Sequence, residues 1–254
     1  MSRHTVTYGE HPQQHFVHTA TQVDADDVLG TVVLLHGGYW RAGFTRALME
    51  PMAVDLCARG WHVVNVEYRR VAAGGRWPAS LVDVQRAVAC VAELVRRGDL
   101  PGPLILLGHS AGGQLALMTA HATEVACLAG IVVLAPVTDV LETLRTGLGD
   151  GAAEDLLADV SDAWERERVA VAASPLNALP VGVPVVMIHG RDDVRVPHEH
   201  TVRYAAAARA AGDDVRVVSP PSLEHRAAID PDGPYWMTTV GALRELRGLR
   251  STSP

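Results

Sequence analysis

The chain has 254 residues, of which 48% are hydrophobic, and its formal net charge is -7. The length suits one α/β domain, and the mildly acidic balance argues against nucleic acid or an anionic membrane as a main partner, because both require basic surface. The N-terminus is polar, without the apolar stretch of a signal peptide, and no apolar run approaches the roughly 20 residues that cross a bilayer. We therefore expect a cytoplasmic protein that binds neither nucleic acid nor membrane.

The three cysteines lie in apolar settings, and none forms a C-x-x-C pair. Their odd number argues against a disulfide framework, and their spacing argues against a zinc site. We expect Cys57, Cys90 and Cys127 to fill the core in a reducing compartment.

Apolar runs rich in Val, Ile and Leu alternate with segments of helical periodicity. Several runs are apolar throughout, which is typical of strands buried on both faces of a parallel sheet. The alternation predicts right-handed crossovers and an α/β fold with a doubly wound, mostly parallel sheet. Two weaker stretches, Val6–Tyr8 and His15–Thr19, predict an antiparallel N-terminal edge. The predicted inner strands are Thr31–Leu35, His62–Val66, Leu104–Leu107, Gly130–Leu134, Val183–Ile188 and Asp214–Val218.

Three helices are predicted in addition to the one that opens after Ser110. The clearest is Ser80–Arg97, whose apolar residues recur at steps of three and four. Ser80 with Asp83 at its start resembles a capping box. The other two predicted helices are Val202–Ala211 and Tyr235–Leu249.

The segment from Thr138 to Ser174 is a long, acidic, helix-prone connection between two predicted strands. It interrupts an otherwise single domain that spans residues 1–254. One interpretation is a helical insertion that only covers the sheet edge. We favour a small lid, residues 138–174, that forms one wall of a pocket, because loops at the carboxyl ends of parallel strands surround the binding crevice in such folds.

The most informative motif is the pentapeptide Gly108-His109-Ser110-Ala111-Gly112. It follows an apolar run and opens a predicted helix, so it places G-x-S-x-G in the strand–turn–helix context of a nucleophile elbow. Glycines flank the serine because side chains there would collide with the strand and helix. The motif predicts Ser110 as a nucleophile.

A serine hydroxyl needs a general base, and the base needs an orienting acid. His225, in the loop after the last predicted strand, is the candidate base. Asp193, just after the strand that ends at Ile188, is the preferred acid. Its neighbour Asp192 and the earlier Asp139 remain alternatives.

Acyl transfer also needs hydrogen-bond donors for the developing oxyanion. One candidate is the backbone N–H of Ala111, which follows the nucleophile. The others are the amides of Gly38 and Tyr39, in the loop after the first inner strand, with Gly37 as the alternative. Glycines in that loop would let the backbone approach a substrate.

Other residues near these motifs are given lesser roles. His36 and His109 are expected to be structural hydrogen-bonding partners. Trp40 either lines the substrate pocket or packs in the core. His198 and His200 are expected to face solvent at a helix start, because two histidines without further ligands make a poor metal site. We expect no cofactor and no metal.

Together these residues resemble the α/β-hydrolase superfamily. The segment His36–Trp40, HGGYW, is similar to the H-G-G-x-W motif of the kynurenine formamidase (arylformamidase) group and its carboxylesterase relatives. The stretch Gln14–Thr19 departs from the D-x-Y-x-P-like strand of those relatives, so the resemblance assigns no substrate contacts to this N-terminal edge. Further segments that follow the order of the group are Glu67–Arg70, Trp77–Ala79, Ser174–Pro175 and Ile229–Pro231.

The resemblance implies a serine hydrolase that cleaves a small-molecule ester or activated amide through an acyl-enzyme. A discrete pathway thioesterase is an alternative, because G-H-S-x-G also suits it, and an oligopeptidase ranks third. A ligand-binding relative without turnover is the alternative outside enzymes. The chain could be a monomer or a homodimer.

Overall fold

The computed structural model describes residues 2–122 and 125–249. Eight strands form one sheet in the order β1-β2-β4-β3-β5-β6-β7-β8. Strand β2 pairs antiparallel with β1 and β4, and every other neighbouring pair is parallel. The strands are β1 Arg3–Thr7, β2 His15–Thr19, β3 Gly30–Leu35, β4 Trp61–Val66, β5 Leu104–His109, β6 Leu128–Leu134, β7 Val185–Ile188 and β8 Val215–Val218.

Helices cover both faces of this sheet. Because successive side chains of a strand point to opposite faces, β3 sends Val32 and Leu34 into one apolar core and Val33 and Leu35 into another. Helices α1 and α8 cover the first core, and α2, α3 and α7 cover the second. The helices are α1 Glu50–Ala58, α2 Ala79–Arg96, α3 Ala111–Ala122, α4 Val140–Thr146, α5 Leu148–Leu156, α6 Ala163–Ala172, α7 Glu199–Ala210 and α8 Trp236–Leu249.

The structure confirms the predicted doubly wound, mostly parallel sheet and its antiparallel N-terminal edge. Strand ends differ from the prediction by a few residues: β5 runs to His109, and β7 begins at Val185. Helix α1 was not predicted. Pro51 lies in its first turn, where a missing N–H costs nothing.

The predicted capping box at Ser80 is wrong. Helix α2 begins at Ala79 behind Pro78, so Ser80 already lies inside it. The buried carboxylate of Asp83 instead accepts hydrogen bonds from the Arg69 guanidinium at 2.7 and 2.8 Å. Asp83 therefore fixes the segment that follows β4 and does not cap the helix.

The segment 138–174 folds into the three helices α4, α5 and α6. Asp139 caps α4 by accepting the backbone N–H of Glu142 at 2.8 Å. Between α4 and the body of α5, Gly149, Asp150 and Gly151 all have left-handed backbone. No helix within residues 2–122 and 125–249 is long and apolar enough to cross a membrane.

The cysteines are separate from one another. Cys57 is buried in the core under α1 and α8, and burial raises the pKa of its thiol to about 11. Cys90 and Cys127 are half-buried beside the other core. No disulfide joins any of them in the described part of the chain.

Candidate active site

Ser110 lies at a sharp turn between β5 and α3. Its φ of +55° is in the left-handed region, which is strained for a residue with a side chain and costs on the order of 1–3 kcal/mol. The surrounding backbone holds the turn: the Ser110 N–H donates to Leu134 O at 2.9 Å, and its carbonyl accepts from Gly113 N at 3.0 Å.

The glycines beside Ser110 are required by space. A Cβ at Gly108 would lie 2.5 Å from Gly112 O, and one at Gly112 would lie 2.1 Å from Leu35 O. Both clashes are with backbone, which cannot move aside cheaply. Strand β5, helix α3 and the loop after β3 therefore approach each other closely enough to present the serine at the carboxyl edge of the sheet.

Asp193 and His225 meet at the same edge. Asp193 follows β7, His225 follows β8, and the His225 Nδ1–H donates to Asp193 Oδ2 at 2.7 Å. The other carboxylate oxygen accepts the backbone N–H groups of Arg195 at 2.8 Å and Val196 at 3.1 Å. The acid is thus fixed by its own loop while it orients the imidazole.

The Asp193 carboxylate is stabilised in its charged form. Burial alone would raise its pKa, but hydrogen bonds from His189 and His225 and from the Val196 N–H outweigh burial and hold the pKa well below its usual range. His189 is fully buried, and its Nε2 lies 3.3 Å from Asp193 Oδ2. The charged Asp193 carboxylate can therefore stabilise a positive charge on His225.

The two alternative acids have other partners. Asp192 is exposed and accepts the backbone N–H of Leu223 at 2.9 Å, which ties the loop of the acid to the loop of the base. Asp139 caps α4 and faces Arg203 at 3.4 Å. Neither carboxylate bonds to His225.

The loop after β3 adopts a strained conformation beside Ser110. Gly38, Tyr39 and Trp40 all have positive φ, at +112°, +58° and +56°. A Cβ on Gly37 would lie 2.8 Å from the Cβ of Ser110, so the loop backbone abuts the serine directly. No described group accepts the N–H of Gly38 or Tyr39, and both residues line the cavity at Ser110. Ala111, buried, begins α3, where a helix leaves its N–H without an intrahelical partner.

A buried ion network supports this loop from below. Glu67 lies 3.1 Å from His36 Nε2 and 2.8 Å from Arg70 Nη1, and all three side chains are nearly inaccessible. Tyr68 donates its hydroxyl to His36 O at 2.8 Å. Hydrogen bonding to His36 lowers the pKa of Glu67 although burial opposes this. His36 thus has the structural role predicted for it, but the sequence did not indicate its partner Glu67.

His109 supports the loop of the base. Its Nε2–H donates to the carbonyl of His225 at 2.9 Å, and the two rings lie 4.6 Å apart, centre to centre. Burial, aided by the nearby imidazole of His225, lowers the pKa of His109 to about 3, so its ring is neutral near pH 7. His109 is thus a hydrogen-bonding partner, as predicted, and it holds His225 in place from the nucleophile's own strand.

A cavity of about 90 Å³ opens at Ser110 and His225. Phe44, Leu48 and Ile229 supply its apolar wall, whereas Arg195 and Arg226 bring two guanidinium groups to it. The sequence did not indicate that any of these five residues lines a cavity. They lie in segments that follow three different strands, and only the meeting of those strand ends brings them together. The cavity also includes Gly38, Tyr39, Ser110, His109 and His225.

Two expected placements are corrected here. Trp40 is 1% exposed and donates to Gln114 Oε1 at 3.3 Å, so it packs in the core and does not line the cavity. His200 does not face solvent: it is buried, and its Nδ1 accepts the backbone N–H of Thr138 at 3.3 Å. His198 is half-buried and bonds to Ser219 Oγ.

The insertion 138–174 contributes no residue to the cavity lining. It supports the wall from behind. A Cβ on Gly149 would lie 2.3 Å from the Tyr39 ring, and Arg41 donates to the carbonyls of Gly149 at 2.8 Å and Asp150 at 2.6 Å. The segment therefore reaches the site through Tyr39 and Arg41.

This arrangement can deprotonate an alcohol and stabilise an oxyanion beside it. In the described residues, no group of three or more His, Cys, Asp or Glu side chains converges where a metal could be held. A nucleophile elbow after the central strand, an acid after β7 and a histidine after β8 on a doubly wound sheet define an α/β-hydrolase.

Comparison with known proteins gives the family. The BD-FAE model matches residues 20–207, well over half of the chain, and the chain belongs to the BD-FAE family. A sequence relative is Esterase LipQ of Mycobacterium tuberculosis, 27% identical over 197 residues, which make up 71% of this chain and 46% of that protein. The chain spans less than half the length of the curated relatives it matches.

Solved structures share the fold over nearly the whole chain. A truncated carbohydrate esterase from gut microbiota has a TM-score of 0.82 and 18% identity, with 98% of this chain and 97% of that chain covered. An acetyl ester-xyloside bifunctional hydrolase from Caldicellulosiruptor lactoaceticus has a TM-score of 0.78 and 20% identity, with 99% and 97% covered. At these identities the similarity establishes the α/β-hydrolase fold.

Proposed function

We propose that this chain is a cofactor-independent serine esterase that acts on small-molecule esters through an acyl-enzyme. The observation that carries the proposal is the 2.7 Å hydrogen bond between His225 and a buried, charged Asp193, at a cavity that also contains Ser110 in a left-handed elbow. The family and the esterases among its relatives support it.

In the proposed reaction, His225 Nε2 takes the proton of the Ser110 hydroxyl as its oxygen attacks the ester carbonyl. The N–H groups of Ala111, Gly38 and Tyr39 stabilise the oxyanion. The intermediate collapses as His225 gives the proton to the leaving alcohol. Water, deprotonated by His225, then attacks the acyl-enzyme. His225 returns the proton to the Ser110 oxygen as the carboxylic acid product is released. Asp193 stays charged throughout and stabilises the imidazolium.

The acyl group that we propose is small. The cavity of about 90 Å³ at Ser110 is small, and Phe44 and Leu48 give it an apolar wall that suits a short acyl group. An acetyl group fits this description, as does a formyl group, the smallest acyl group. Esters rank first because esterases are among the relatives; aryl formamides, suggested by HGGYW, rank second, and thioesters third.

The deciding experiment compares Ser110→Ala with the wild type on phenyl acetate. We expect kcat to fall by at least about 10⁴-fold, because the nucleophile is removed while binding is retained. The matched control is Ser161→Ala, an exposed serine in the insertion, which should keep full activity. Wild-type activity surviving in Ser110→Ala would refute the nucleophile assignment.

A second measurement separates the enzyme from a ligand-binding relative. A fluorophosphonate should form one covalent adduct, on Ser110, and the adduct should be absent from Ser110→Ala. Assays with phenyl acetate, formanilide and an acetyl thioester side by side then rank the substrate classes. No adduct together with no turnover of any of the three would favour the ligand-binding alternative.

We also propose a cytoplasmic location, as the cysteine pattern suggests, and no partner other than the small-molecule substrate. Cys57 in particular is a buried thiol with a raised pKa, which suits a core residue better than a reactive one. Cell fractionation tests the location, and size-exclusion chromatography with light scattering decides between monomer and homodimer.

A further inference from the structure

The cavity at Ser110 is lined by two positively charged side chains although the chain as a whole is acidic. Arg195 and Arg226 line the cavity together with the imidazoles of His225 and His109. No carboxylate of the described residues lines it. The chain as a whole is acidic, with 29 Asp and Glu against 22 Lys and Arg. A local pair of guanidinium groups therefore stands out against the net charge.

Neither guanidinium is neutralised by an ion pair. Arg226 is exposed, and its side chain forms no hydrogen bond or ion pair within residues 2–122 and 125–249. Arg195 is also exposed, and its Nη1 donates to the Tyr39 hydroxyl at 3.2 Å, a neutral acceptor on the cavity wall. Other exposed arginines do have carboxylate partners, as Arg96, Arg145 and Arg168 do. Both guanidinium groups keep donors available for a bound anion.

The position of the pair indicates which part of the substrate would meet it. Arg226 follows His225 directly, and Arg195 lies two residues after Asp193. A second, adjoining groove of about 260 Å³ shares Arg195, His225 and Arg226 with the cavity. In the proposed reaction His225 protonates the leaving oxygen, so the leaving group must lie on the His225 side, where both arginines stand.

We propose that the physiological substrate is an ester whose leaving alcohol carries a carboxylate, which Arg226 and Arg195 bind. This inference rests on the proposed esterase function and names its substrate class. Guanidinium groups suit carboxylates because their planar N–H donors match the two oxygens. The apolar wall at Phe44 and Leu48 takes the acyl part on the other side.

Carboxylates near the groove set a limit on where the anion binds. Glu224 and Asp192 line the second groove together with the two arginines. Asp192 accepts a hydrogen bond from the Leu223 N–H. Neither lines the inner cavity. The substrate carboxylate should therefore bind at the inner side of the pair, close to the scissile ester, and Glu224→Gln should improve its binding modestly.

The test uses 3- and 4-acetoxybenzoate, each with its neutral acetoxybenzamide as the matched substrate. We expect the wild type to prefer at least one carboxylate over its amide by about tenfold in kcat/KM, and 0.5 M NaCl should reduce this preference. Arg226→Gln should remove most of the preference through KM, and Arg195→Gln with Arg226→Gln should abolish it. In both variants kcat/KM should fall by a larger factor on the carboxylates than on the amides.

Arg191→Gln is the control variant, because this exposed arginine belongs to the same loop but lines neither cavity nor groove. It should retain the preference. Equal kcat/KM for both carboxylates and their amides in the wild type would overturn the anion proposal while leaving the esterase intact. A preference that survives in the double variant would also overturn it. No turnover of any of the four esters would contradict the esterase proposal itself.

Discussion

The two sides of the candidate active site are built differently. The elbow side, made of the turn at Ser110 and the loop 36–44, depends on backbone: positive φ angles, close glycine contacts and buried histidines fix it. The insertion, 138–174, packs apolar residues of its helices into the core and contacts the elbow side only at Tyr39 and through the partly exposed ion pair of Arg41. Asp155, which pairs with Arg41, has 48% of its side chain exposed.

This difference indicates which contacts around the site are rigid and which can rearrange. Backbone that is locked by steric contact cannot adjust, so changes there should affect the catalytic step. Ionic contacts between half-exposed groups contribute little free energy and can rearrange. The contacts between the insertion and the loop 36–44 are therefore the part that can adjust, and the elbow side is the part that cannot.

The largest effect should come from Gly37→Ala. Its Cβ would meet Ser110 Cβ at 2.8 Å and His109 O at 2.9 Å, so either the loop or the serine must shift. We expect kcat on phenyl acetate to fall by about 10²–10³-fold, similar to the loss of one oxyanion donor. Steady-state kinetics measures this, with circular dichroism to confirm the fold.

Gly43 offers the matched control in the same loop. A Cβ there has no atom within 4 Å, so Gly43→Ala should leave kcat unchanged. Equal activities of Gly37→Ala and Gly43→Ala would show that the loop is not fixed by steric contact, and the contrast between the two sides would fail.

His109 should have an intermediate effect, because its titration makes the free energy of unfolding depend on pH. In the folded state its pKa is about 3, whereas in the unfolded chain it is about 6.5, so the unfolded state binds more protons below pH 6.5. Its contribution to stability is therefore full above pH 6.5 and is lost as pH falls toward 3. Between pH 7 and pH 5 the titration of this histidine should lower the free energy of unfolding by about 2 kcal/mol.

His109→Gln removes the titration while its amide can still donate toward His225 O. The free energy of unfolding of this variant should fall less than that of the wild type between pH 7 and pH 5, by about 2 kcal/mol. Urea unfolding at both pH values measures the difference. Identical falls for both proteins would mean that His109 is not buried in its neutral form.

The smallest effect should come from Arg41→Gln, which acts on the contacts between the loop 36–44 and the insertion. The substitution removes the bonds to Asp155 and to two carbonyls of the insertion, all between half-exposed groups. We expect KM to rise about threefold at constant kcat, with a stability loss below about 1 kcal/mol. Arg145→Gln, whose pair with Glu167 lies away from the loop, should change neither parameter. A large fall in kcat for Arg41→Gln would place the insertion on the chemical side of the comparison.

The sequence predicted the parts of this molecule that follow local rules. Runs of Val, Ile and Leu marked the inner strands, and the pentapeptide around Ser110 marked the elbow. The loops that hold Asp193 and His225 followed from chain order, and the structure brings these two side chains together.

Long-range pairings were not predictable in the same way. The partner of His36 is Glu67, and the cavity wall joins Phe44, Arg195 and Ile229 from three separate loops. Such contacts depend on how strand ends converge, not on any spacing along the chain. Trp40 shows the same limit: the sequence left the pocket and the core both open, and the fold buries its side chain in the core.

The place of β5 in the middle of the sheet has a consequence for inactivation. The Ser110 amide is bonded to Leu134 O on β6, with β3 on the opposite side of β5. Its proton can exchange with solvent only when the central strands separate. Warming should therefore abolish turnover at the same temperature at which the whole sheet melts, without an earlier stage in which the fold persists but the nucleophile is out of position.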